Sequence, residues 1–322
     1  MLGFGIDLAV SGKQHPSARV VSRQRAILGE CPLWWSERST LLWVDIRSQS
    51  IHAFDTRYDT DTIWRLPELT AGICLTTDDR LLVAMESRID LFDPEDGSVS
   101  FSWPMPGWRR GMRFNEIKCD LSGRVWVGSM DDRTRAPVGS LMRLTRDGLV
   151  DAGPLVAVPN SLAWSLDGRY TYFADGRDTV IWQYETDPRT GDLGHREPFH
   201  VLPIGSVPDG ATVDSEGFLW SANYGAGEVT RYTPRGSIDT VVRMPVSQPT
   251  SCSFGGEKFD LLFITSASQR LSSTRLAEEP LAGETFSMRV SVPGLATSRA
   301  DLSRLGLEGH AGNSRRILAI RQ

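Results

Sequence analysis

The stretch PNSLAWSLDGRYTYFAD, residues 159–175, decides the fold because its pattern returns along the chain. It opens on a polar residue, Asn160, has an apolar residue four positions later, Trp164, and then a polar turn at 166–169. A run typical of a β-strand follows at 170–173. Six such phrases begin at Glu30, Ala71, Asn115, Asn160, Asp209 and Thr250, spaced roughly 41 to 49 residues apart.

A repeat of this length with several short strands is typical of a β-propeller, in which every repeat forms one blade. We therefore expect an all-β fold with six blades, each a four-stranded antiparallel sheet, around a central channel. The first strand of each blade lies next to the axis of a propeller. The residues that open the six phrases should therefore point toward one channel mouth, where a function would concentrate.

The unbroken repeat favours a single domain. We predict a propeller over residues 18–300, an N-terminal tail over 1–17 and a C-terminal tail over 301–322, which fits no repeat. The last repeat is short of a fourth strand, and the segment Ala18–Leu28 could supply it. Closing the ring with a strand from the other end of the chain would remove an exposed sheet edge.

Composition narrows the possible partners. Of the 322 residues 40% are hydrophobic, and ten Trp and twelve Phe allow a large core. The net charge of −5 without a basic stripe argues against nucleic acid. No stretch is long and apolar enough to span a bilayer, and the N-terminus lacks the basic start of a signal peptide. A small polar or metal-bound ligand fits better.

Cysteine usage indicates a reducing compartment. None of the four cysteines belongs to a C-x-x-C pair, and all fall in the opening phrase of a repeat, where they resemble small strand residues: Cys31, Cys74, Cys119 and Cys252. A reduced, cytoplasmic protein is the simplest interpretation.

Three phrases open on strong oxygen donors, Glu30, Asn160 and Asp209, and Asn115 opens a fourth. Two carboxylates and an amide carbonyl that converge without a nearby lysine would repel one another, and a divalent cation relieves that repulsion. Oxygen donors suit calcium, magnesium or manganese better than a metal that prefers thiolate or imidazole. The five histidines show no metal-ligand spacing, which argues against a structural zinc site. We expect one divalent cation and leave Ca, Mg, Mn and Zn open.

A second polar set stands at the ends of the predicted second strands: Asp45, Glu86, Asp131, Asp175 and Asn223. Such residues often accept hydrogen bonds from local backbone N–H groups in turns. That interpretation is favoured for Asp45 and Glu86. Asp175 is left open between a turn role and a site role, because it belongs to the repeat that supplies Asn160.

A connector rich in Trp, Pro and Arg leads from the second repeat to Arg113. Arg113 and Asn115 flank Phe114, so both face the same side of an extended segment. They can form a substrate clamp in which guanidinium and amide groups donate to hydroxyl or carbonyl oxygens. The alternative is that Arg113 pairs with a carboxylate of a blade.

The motifs resemble those of the SMP-30/gluconolactonase/LRE family over about residues 29–294. They read in order GECPLW (29–34), LWVDI (42–46), RFN (113–115), PNSLAWS (159–165), PDG (208–210) and SCSFGG (251–256). The resemblance implies a six-bladed propeller with one divalent metal held by Glu30, Asn160 and Asp209. It also implies that Arg113 and Asn115 contact the substrate, typically an aldonolactone, and that Asp209 helps to activate water.

Three positions depart from the family pattern. Glu116-Ile117 stands where Asp-Gly is usual, which changes local backbone freedom, and Ser161 stands where a Gly usually follows the metal Asn. Arg133 aligns where some members carry a substrate-contacting Glu, so a charge at the pocket rim is reversed. The departures bear on the substrate and leave the three metal ligands intact.

These observations favour a metal-dependent hydrolase that opens a sugar lactone to its aldonic acid in carbohydrate catabolism. Asp209 is the expected base, with Asp175 or a metal hydroxide as alternatives. Two other interpretations are a hydrolase of another ester or an organophosphate, and a non-enzymatic metal-binding or scaffold propeller.

Overall fold

Six antiparallel sheets make up the protein in a computed structural model. The structure describes residues 18–22, 24–307, 315–316 and 320–321, so the predicted tail over 1–17 lies outside the described residues. The predicted six-bladed β-propeller of four-stranded antiparallel blades is confirmed. Over the described ranges, helix is confined to α1 (Ser273–Glu278) and the 3-10 turns Ser36–Arg38 and Leu302–Leu305, and no helix could cross a membrane.

The blades follow one another along the chain after a short strand, β1 (Arg19–Val20). Blade 1 comprises β2 (Gly29–Trp35), β3 (Thr40–Asp45), β4 (Ser50–Asp55) and β5 (Thr60–Arg65). Blade 2 comprises β6 (Gly72–Leu75), β7 (Leu81–Ala84), β8 (Arg88–Phe92) and β9 (Ser98–Pro104). Blade 3 comprises β10 (Met112–Cys119), β11 (Val125–Asp131), β12 (Gly139–Thr145) and β13 (Gly148–Val156).

The second half of the ring repeats this order. Blade 4 comprises β14 (Pro159–Trp164), β15 (Tyr170–Asp175), β16 (Val180–Thr186) and β17 (Leu193–Val201). Blade 5 comprises β18 (Val207–Val213), β19 (Leu219–Tyr224), β20 (Glu228–Tyr232) and β21 (Ile238–Arg243). Blade 6 comprises β22 (Pro249–Gly255), β23 (Leu261–Ser266) and β24 (Phe286–Arg289), with β1 as its outer strand.

The first strands of the blades surround the axis. Each of β2, β6, β10, β14, β18 and β22 contacts the first strand of both neighbouring blades, which closes the ring. The apolar faces of adjacent blades pack together; for example, Leu82 of blade 2 lies in one cluster with Val125 and Val127 of blade 3. Because all inner strands run in the same sense, their first residues meet at one mouth of the channel.

Aspartates hold some of the turns that end the inner strands. Asp120 accepts hydrogen bonds from the N–H of Ser122 and from the indole N–H of Trp126. Asp214 makes the equivalent bond to the indole of Trp220 and also accepts from backbone N–H groups. These polar turns lie opposite the mouth, and they direct the chain back into the second strand of the blade.

The ring is closed by a strand from the other end of the chain, as the sequence predicted. β1 pairs antiparallel with β24, with Arg19 opposite Ser287. The N–H of Val21 extends this pairing by donating to the carbonyl of Thr285 at 2.8 Å. Blade 6 thereby gains its fourth strand, and the outer edge of β24 is covered.

The segment 301–322, expected to be a tail, packs on the propeller where it is described. Leu302, Leu305 and Leu307 are buried in the core cluster shared by blades 2 and 3. Further on, β25 (Arg315–Arg316) pairs with β9, and β26 (Ile320–Arg321) pairs with β5. The repeat pattern did not reveal this packing because the segment uses closely spaced leucines rather than the phrase of a blade.

The pairing that closes the ring can be tested at Val21. Val21→Pro removes the N–H that bonds to Thr285, whereas Val21→Ala removes two methyl groups and keeps the N–H. We expect the proline variant to melt a few degrees below the alanine variant, because one pairing bond is lost. Thermal unfolding followed by circular dichroism measures this; equal melting temperatures would contradict the proposed closure.

Candidate metal centre in the central channel

β-Bulges near the mouth ends of the inner strands bring the predicted site residues into the channel. The pairing register shifts between residues 30 and 33, between residues 160 and 163, and between residues 208 and 211. The residues that follow the first two ligands, Cys31 and Ser161, have left-handed φ values of 50° and 59°. A residue with a side chain rarely adopts this conformation, so the backbone is held there by its surroundings. Bulges re-aim the side chains beside them.

Glu30, Asn160 and Asp209, from blades 1, 4 and 5, line one cavity in the channel. Asn115 and Glu116 of blade 3 line it as well. The volume of this cavity that the centre of a water-sized sphere can occupy is about 10 Å³. The cavity therefore has room for about one water molecule or ion. The structure therefore brings the three predicted ligands and Asn115 together.

Burial governs the protonation of the acids in this cavity. Burial, with a smaller contribution from Glu116, raises the pKa of Glu30 to about 8. Burial, followed by the charges of Glu30 and Glu116, raises the pKa of Asp209 well above its ordinary value. Glu116 thus disfavours the ionised forms of Glu30 and Asp209, and Glu30 disfavours that of Asp209. A divalent cation among them would stabilise the carboxylates.

The donor set fits a hard divalent cation. Glu30 and Asp209 offer carboxylate oxygens and Asn160 an amide oxygen, which are the ligands that such ions prefer. Among the described residues, no three His, Cys, Asp or Glu side chains are grouped so that they could hold a metal ion by themselves. Asn160 is therefore needed as the third donor. Its Nδ2 donates to the carbonyl of Pro208 at 3.2 Å, which leaves Oδ1 beside Nδ2 of Asn115 at 2.8 Å.

A lysine lies in this cavity, contrary to the expectation from the sequence. The ammonium group of Lys118 pairs with Oε1 of Glu116 at 3.1 Å. It also donates to the backbone carbonyls of Leu162, at 2.9 Å, and Ala211. Glu116 and Lys118 were not predicted as site residues because a bulge between Phe114 and Glu116 shifts the alternation of β10. The available signal was an acid and a base two positions apart on an inner strand.

Glu116 and Lys118 together fix the peptide groups beside Asn160. Oε2 of Glu116 accepts a hydrogen bond from the N–H of Leu162 at 3.1 Å, while Lys118 holds the carbonyl of the same residue. The hydroxyl of Ser161 donates to the carbonyl of Asp209 at 2.6 Å. Side chains of blade 3 and the backbone of blade 5 thereby hold the bulge that presents Asn160.

Arg113 makes the carboxylate pairing that was the alternative to a substrate clamp. It is buried, and its Nε lies 3.1 Å from Oδ1 of Asp132. Its Nη1 also donates to Oδ1 of Asn115 at 2.7 Å. Asn115 in turn donates to the carbonyl of Pro159 and to Asn160. A direct contact of Arg113 with substrate stays a prediction, whereas its contact with Asn115 is observed.

Two of the acids at the ends of the second strands, Asp175 and Asp45, accept hydrogen bonds from backbone N–H groups. The two oxygens of Asp175 accept hydrogen bonds from the N–H groups of Ala157 and Val158 at 2.8 and 3.0 Å. Asp45 does the same for Ile27 and Leu28. The turn interpretation, left open for Asp175, therefore agrees with its contacts. Asn223 instead donates through its amide to the hydroxyl of Thr230 within blade 5.

Arg133 lies in the turn that follows β11 and is exposed. Its aliphatic part crosses Gly111 so closely that a Cβ there would lie 2.5 Å from its Cδ. Asp131 holds this turn by accepting hydrogen bonds from the N–H groups of Arg133 and Thr134. Arg133 thus stands at the mouth, next to the connector that leads into β10.

Below the metal centre the channel continues as a mainly apolar cavity of about 150 Å³. All four cysteines line it, and all are free thiols: Cys31, Cys74, Cys119 and Cys252. Burial raises the pKa of Cys31 and of Cys252 to about 12, so these thiols stay protonated. This agrees with their interpretation as small residues of the inner strands.

The conformation of Ser161 yields a test of how this bulge is held. Ser161→Ala loses the hydrogen bond to Asp209 but keeps a Cβ at a left-handed φ. Ser161→Gly loses the same bond and removes the steric cost, so it should be more stable than the alanine variant by about 1 kcal/mol. Urea unfolding of both variants measures the difference in the free energy of unfolding.

A control at Ala163, in the same strand, should have the opposite sign. The φ of Ala163 is not positive, so Ala163→Gly should destabilise the protein by about 0.5–1 kcal/mol. If Ser161→Gly were less stable than Ser161→Ala, the strain assigned to Ser161 would be absent.

Comparisons with known proteins agree with the motifs. Residues 28–268 match the sequence model of the SMP-30/Gluconolactonase/LRE-like region. A 6-deoxy-6-sulfogluconolactonase of Pseudomonas putida is 34% identical over 286 residues, 88% of this chain and 98% of the relative. An L-arabinolactonase of Azospirillum brasilense is 34% identical over 298 residues, 88% of this chain and 96% of the relative.

Solved structures agree as well. A calcium-binding protein, regucalcin, from Agrobacterium tumefaciens strain C58 superposes with a TM-score of 0.85 at 26% identity, covering 89% of this chain and 98% of that one. The resemblance first seen in six short motifs is thereby confirmed over most of the sequence and in the fold. The chain belongs to the SMP-30/gluconolactonase/LRE-like family.

Proposed function

We propose that this protein is a metal-dependent hydrolase that opens the ester of a sugar lactone to give the aldonic acid. The observation that carries the proposal is the convergence of Glu30, Asn160 and Asp209 on one buried cavity. Two relatives are named as lactonases of sugar acids, which supports the reaction class.

Glu30, Asn160 and Asp209 would hold one divalent cation. Their oxygen donors favour calcium, magnesium or manganese, with zinc as the remaining candidate. When bound, such a cation polarises an ester carbonyl and makes a nearby water more acidic. The two carboxylates match its charge, while Asn115 and the Glu116–Lys118 pair keep the amide of Asn160 in place.

Asp209 is the proposed base. Its carboxyl group lies in the cavity beside the other two proposed ligands. Asp209 would thus be next to a water that a bound cation makes more acidic, and would take its proton. Asp175 is less suited, because both of its oxygens already accept hydrogen bonds from backbone N–H groups.

Asn115 is proposed to contact the substrate, and Arg113 to position Asn115. The side chain of Asn115 lines the cavity, whereas Arg113 is buried behind it and pairs with Asp132. The bond from Arg113 to Oδ1 of Asn115 fixes the orientation of the amide. A fixed amide can align the sugar hydroxyls relative to the reacting carbonyl.

We also propose that residues 18–300 form the lactonase domain, and that the protein works in the cytoplasm on a small-molecule substrate. The free state of all four cysteines supports a reducing compartment.

The proposal predicts that acid substitutions in the channel abolish activity without unfolding the blades. Asp209→Asn should lower kcat/KM by about 10²–10⁴-fold, because the base and a metal ligand are both lost. Glu30→Gln should weaken metal binding at least tenfold. A pH-indicator assay with gluconolactone, galactonolactone, arabinonolactone and xylonolactone, each with Ca, Mg, Mn or Zn, measures turnover; calorimetry measures metal affinity.

The matched control is Glu197→Gln, which removes an exposed carboxylate on the outer strand of blade 4 and should change neither quantity. Metal binding by the wild type without hydrolysis of any lactone or aryl ester would favour the scaffold alternative. Hydrolysis of aryl or phosphate esters alone would favour the other enzyme class. Full activity of Asp209→Asn would exclude the proposed mechanism.

A further inference from the structure

Turns from three blades meet over the mouth of the channel. Arg47, in the turn after β3 of blade 1, donates through Nη2 to Oδ1 of Asp132 at 3.0 Å. The same guanidinium donates through Nε to Oε1 of Gln269 at 3.2 Å. Asp132 lies in the turn after β11 of blade 3 and Gln269 in the turn after β23 of blade 6. Blades 3 and 6 are opposite in a six-bladed ring, so their turns lean toward each other across the axis.

Each of these two turns carries an arginine at a constrained position. Arg135 and Arg270 have left-handed φ values of 51° and 61°. The carbonyl of Arg135 accepts a hydrogen bond from Nη1 of Arg177 at 3.0 Å, which anchors its turn. Arginine rarely adopts a left-handed φ by itself, so the surrounding structure holds both residues in this conformation.

Neither arginine has an acidic partner. Within the part of the chain that the structure describes, no carboxylate lies in ion-pair distance of Arg135 or Arg270. Nε of Arg135 is buried without a hydrogen-bond partner. The nearby acid, Asp132, already has both oxygens engaged by Arg47, and one of them also by Arg113. The two guanidinium groups therefore keep unused donors.

The two arginines stand on the mouth side of the buried acids. Their turns follow the second strands of blades 3 and 6, which run antiparallel to the inner strands and therefore end at the mouth. Arg47 joins the two turns through Asp132 and Gln269, and Gln269 directly precedes Arg270. In agreement with this placement, burial and the positive charge of Arg270 lower the pKa of Arg135.

We propose that Arg135 and Arg270 form a subsite for an oxyanion group of the substrate, and hence that the preferred substrate is an anionic sugar lactone. The group would be a carboxylate, phosphate or sulfonate at the end of the sugar remote from the lactone carbonyl. Guanidinium groups bind such oxyanions through paired N–H donors. An anion between the two arginines offsets their mutual repulsion. This inference rests on the proposed lactonase activity.

The test compares neutral and anionic lactones that share the same ring. The substrates are gluconolactone and the lactones of 6-phosphogluconate, 6-deoxy-6-sulfogluconate and glucarate, so that phosphate, sulfonate and carboxylate are separated. For the wild type, kcat/KM should be at least tenfold higher with at least one anionic lactone, chiefly through KM. Arg135→Gln and Arg270→Gln should each reduce that preference about tenfold or more, because the loss of kcat/KM falls on the anionic lactone rather than equally on gluconolactone.

Arg189→Gln is the matched control, because Arg189 is an exposed arginine on the face opposite the mouth. It should leave the preference unchanged. A second measurement does not need turnover: calorimetry of 6-phosphogluconate and of gluconate, the ring-opened acids, with wild type and variants. The 6-phosphogluconate should bind the wild type more tightly, and the difference should shrink in both arginine variants and at high salt.

The outcomes separate this inference from the proposed function. Hydrolysis of gluconolactone with no preference for any anionic lactone would overturn the subsite and leave the lactonase proposal standing. Arginine-dependent binding of 6-phosphogluconate without hydrolysis of any lactone would support the subsite and overturn the lactonase proposal. Equal losses with neutral and anionic lactones in the arginine variants would overturn the subsite, since a general structural effect explains them.

Discussion

The burial of three carboxyl groups in one channel is the constraint on which the rest of the centre depends. Glu30, Glu116 and Asp209 line the same cavity, and burial raises the pKa of each. Ionised acids so placed are costly unless cations offset them. Lys118 offsets one charge and pairs with Glu116. The remaining two charges match those of one divalent cation, which is the physical argument for the metal that we propose at this place.

The propeller can meet this constraint because its inner strands approach one axis from all sides. A single sheet would present neighbouring side chains in a row, whereas the ring directs donors from blades 1, 4 and 5 to one point. Regular strands would still point alternate side chains away, so the bulges are needed to re-aim the ligands. The strain at Ser161 is then held by a bond to the next blade. Ring closure by β1 keeps blade 6, and with it the whole ring, from ending in an open edge.

The features that recur in every blade could be predicted from the sequence, whereas contacts that occur only once in the chain were not predicted. The period and phrase predicted six blades, and four of the six phrase-opening residues line one cavity in the channel, namely Glu30, Asn115, Asn160 and Asp209. Lys118 was missed because the bulge in β10 overrides simple alternation. A carboxylate partner for Arg113 was the stated alternative, but its identity as Asp132, and the pairing of Arg47 with the same acid, were not predicted because no repeat relates these segments. The leucines after Asp301 were missed because they pack into a groove between blades without forming a blade.

The two ends of the site carry opposite charges: the floor is the cavity of Glu30, Glu116 and Asp209, and the mouth is formed by the turns after the second strands. The two ends therefore favour different ligands. At the floor, acids outnumber the lysine, which supports the proposed cation. At the mouth, Arg47 and Arg113 pair with Asp132, and Arg135 and Arg270 stand in the turns that Arg47 joins, which supports the proposed anion subsite. The three proposed metal ligands of the floor stand in the family motifs, whereas Glu116, Lys118, Arg135 and Arg270 lie outside them. Reaction type would then follow from the floor, and the choice among lactones from the turns at the mouth, because turns can change sequence without disturbing the strands that hold the acids.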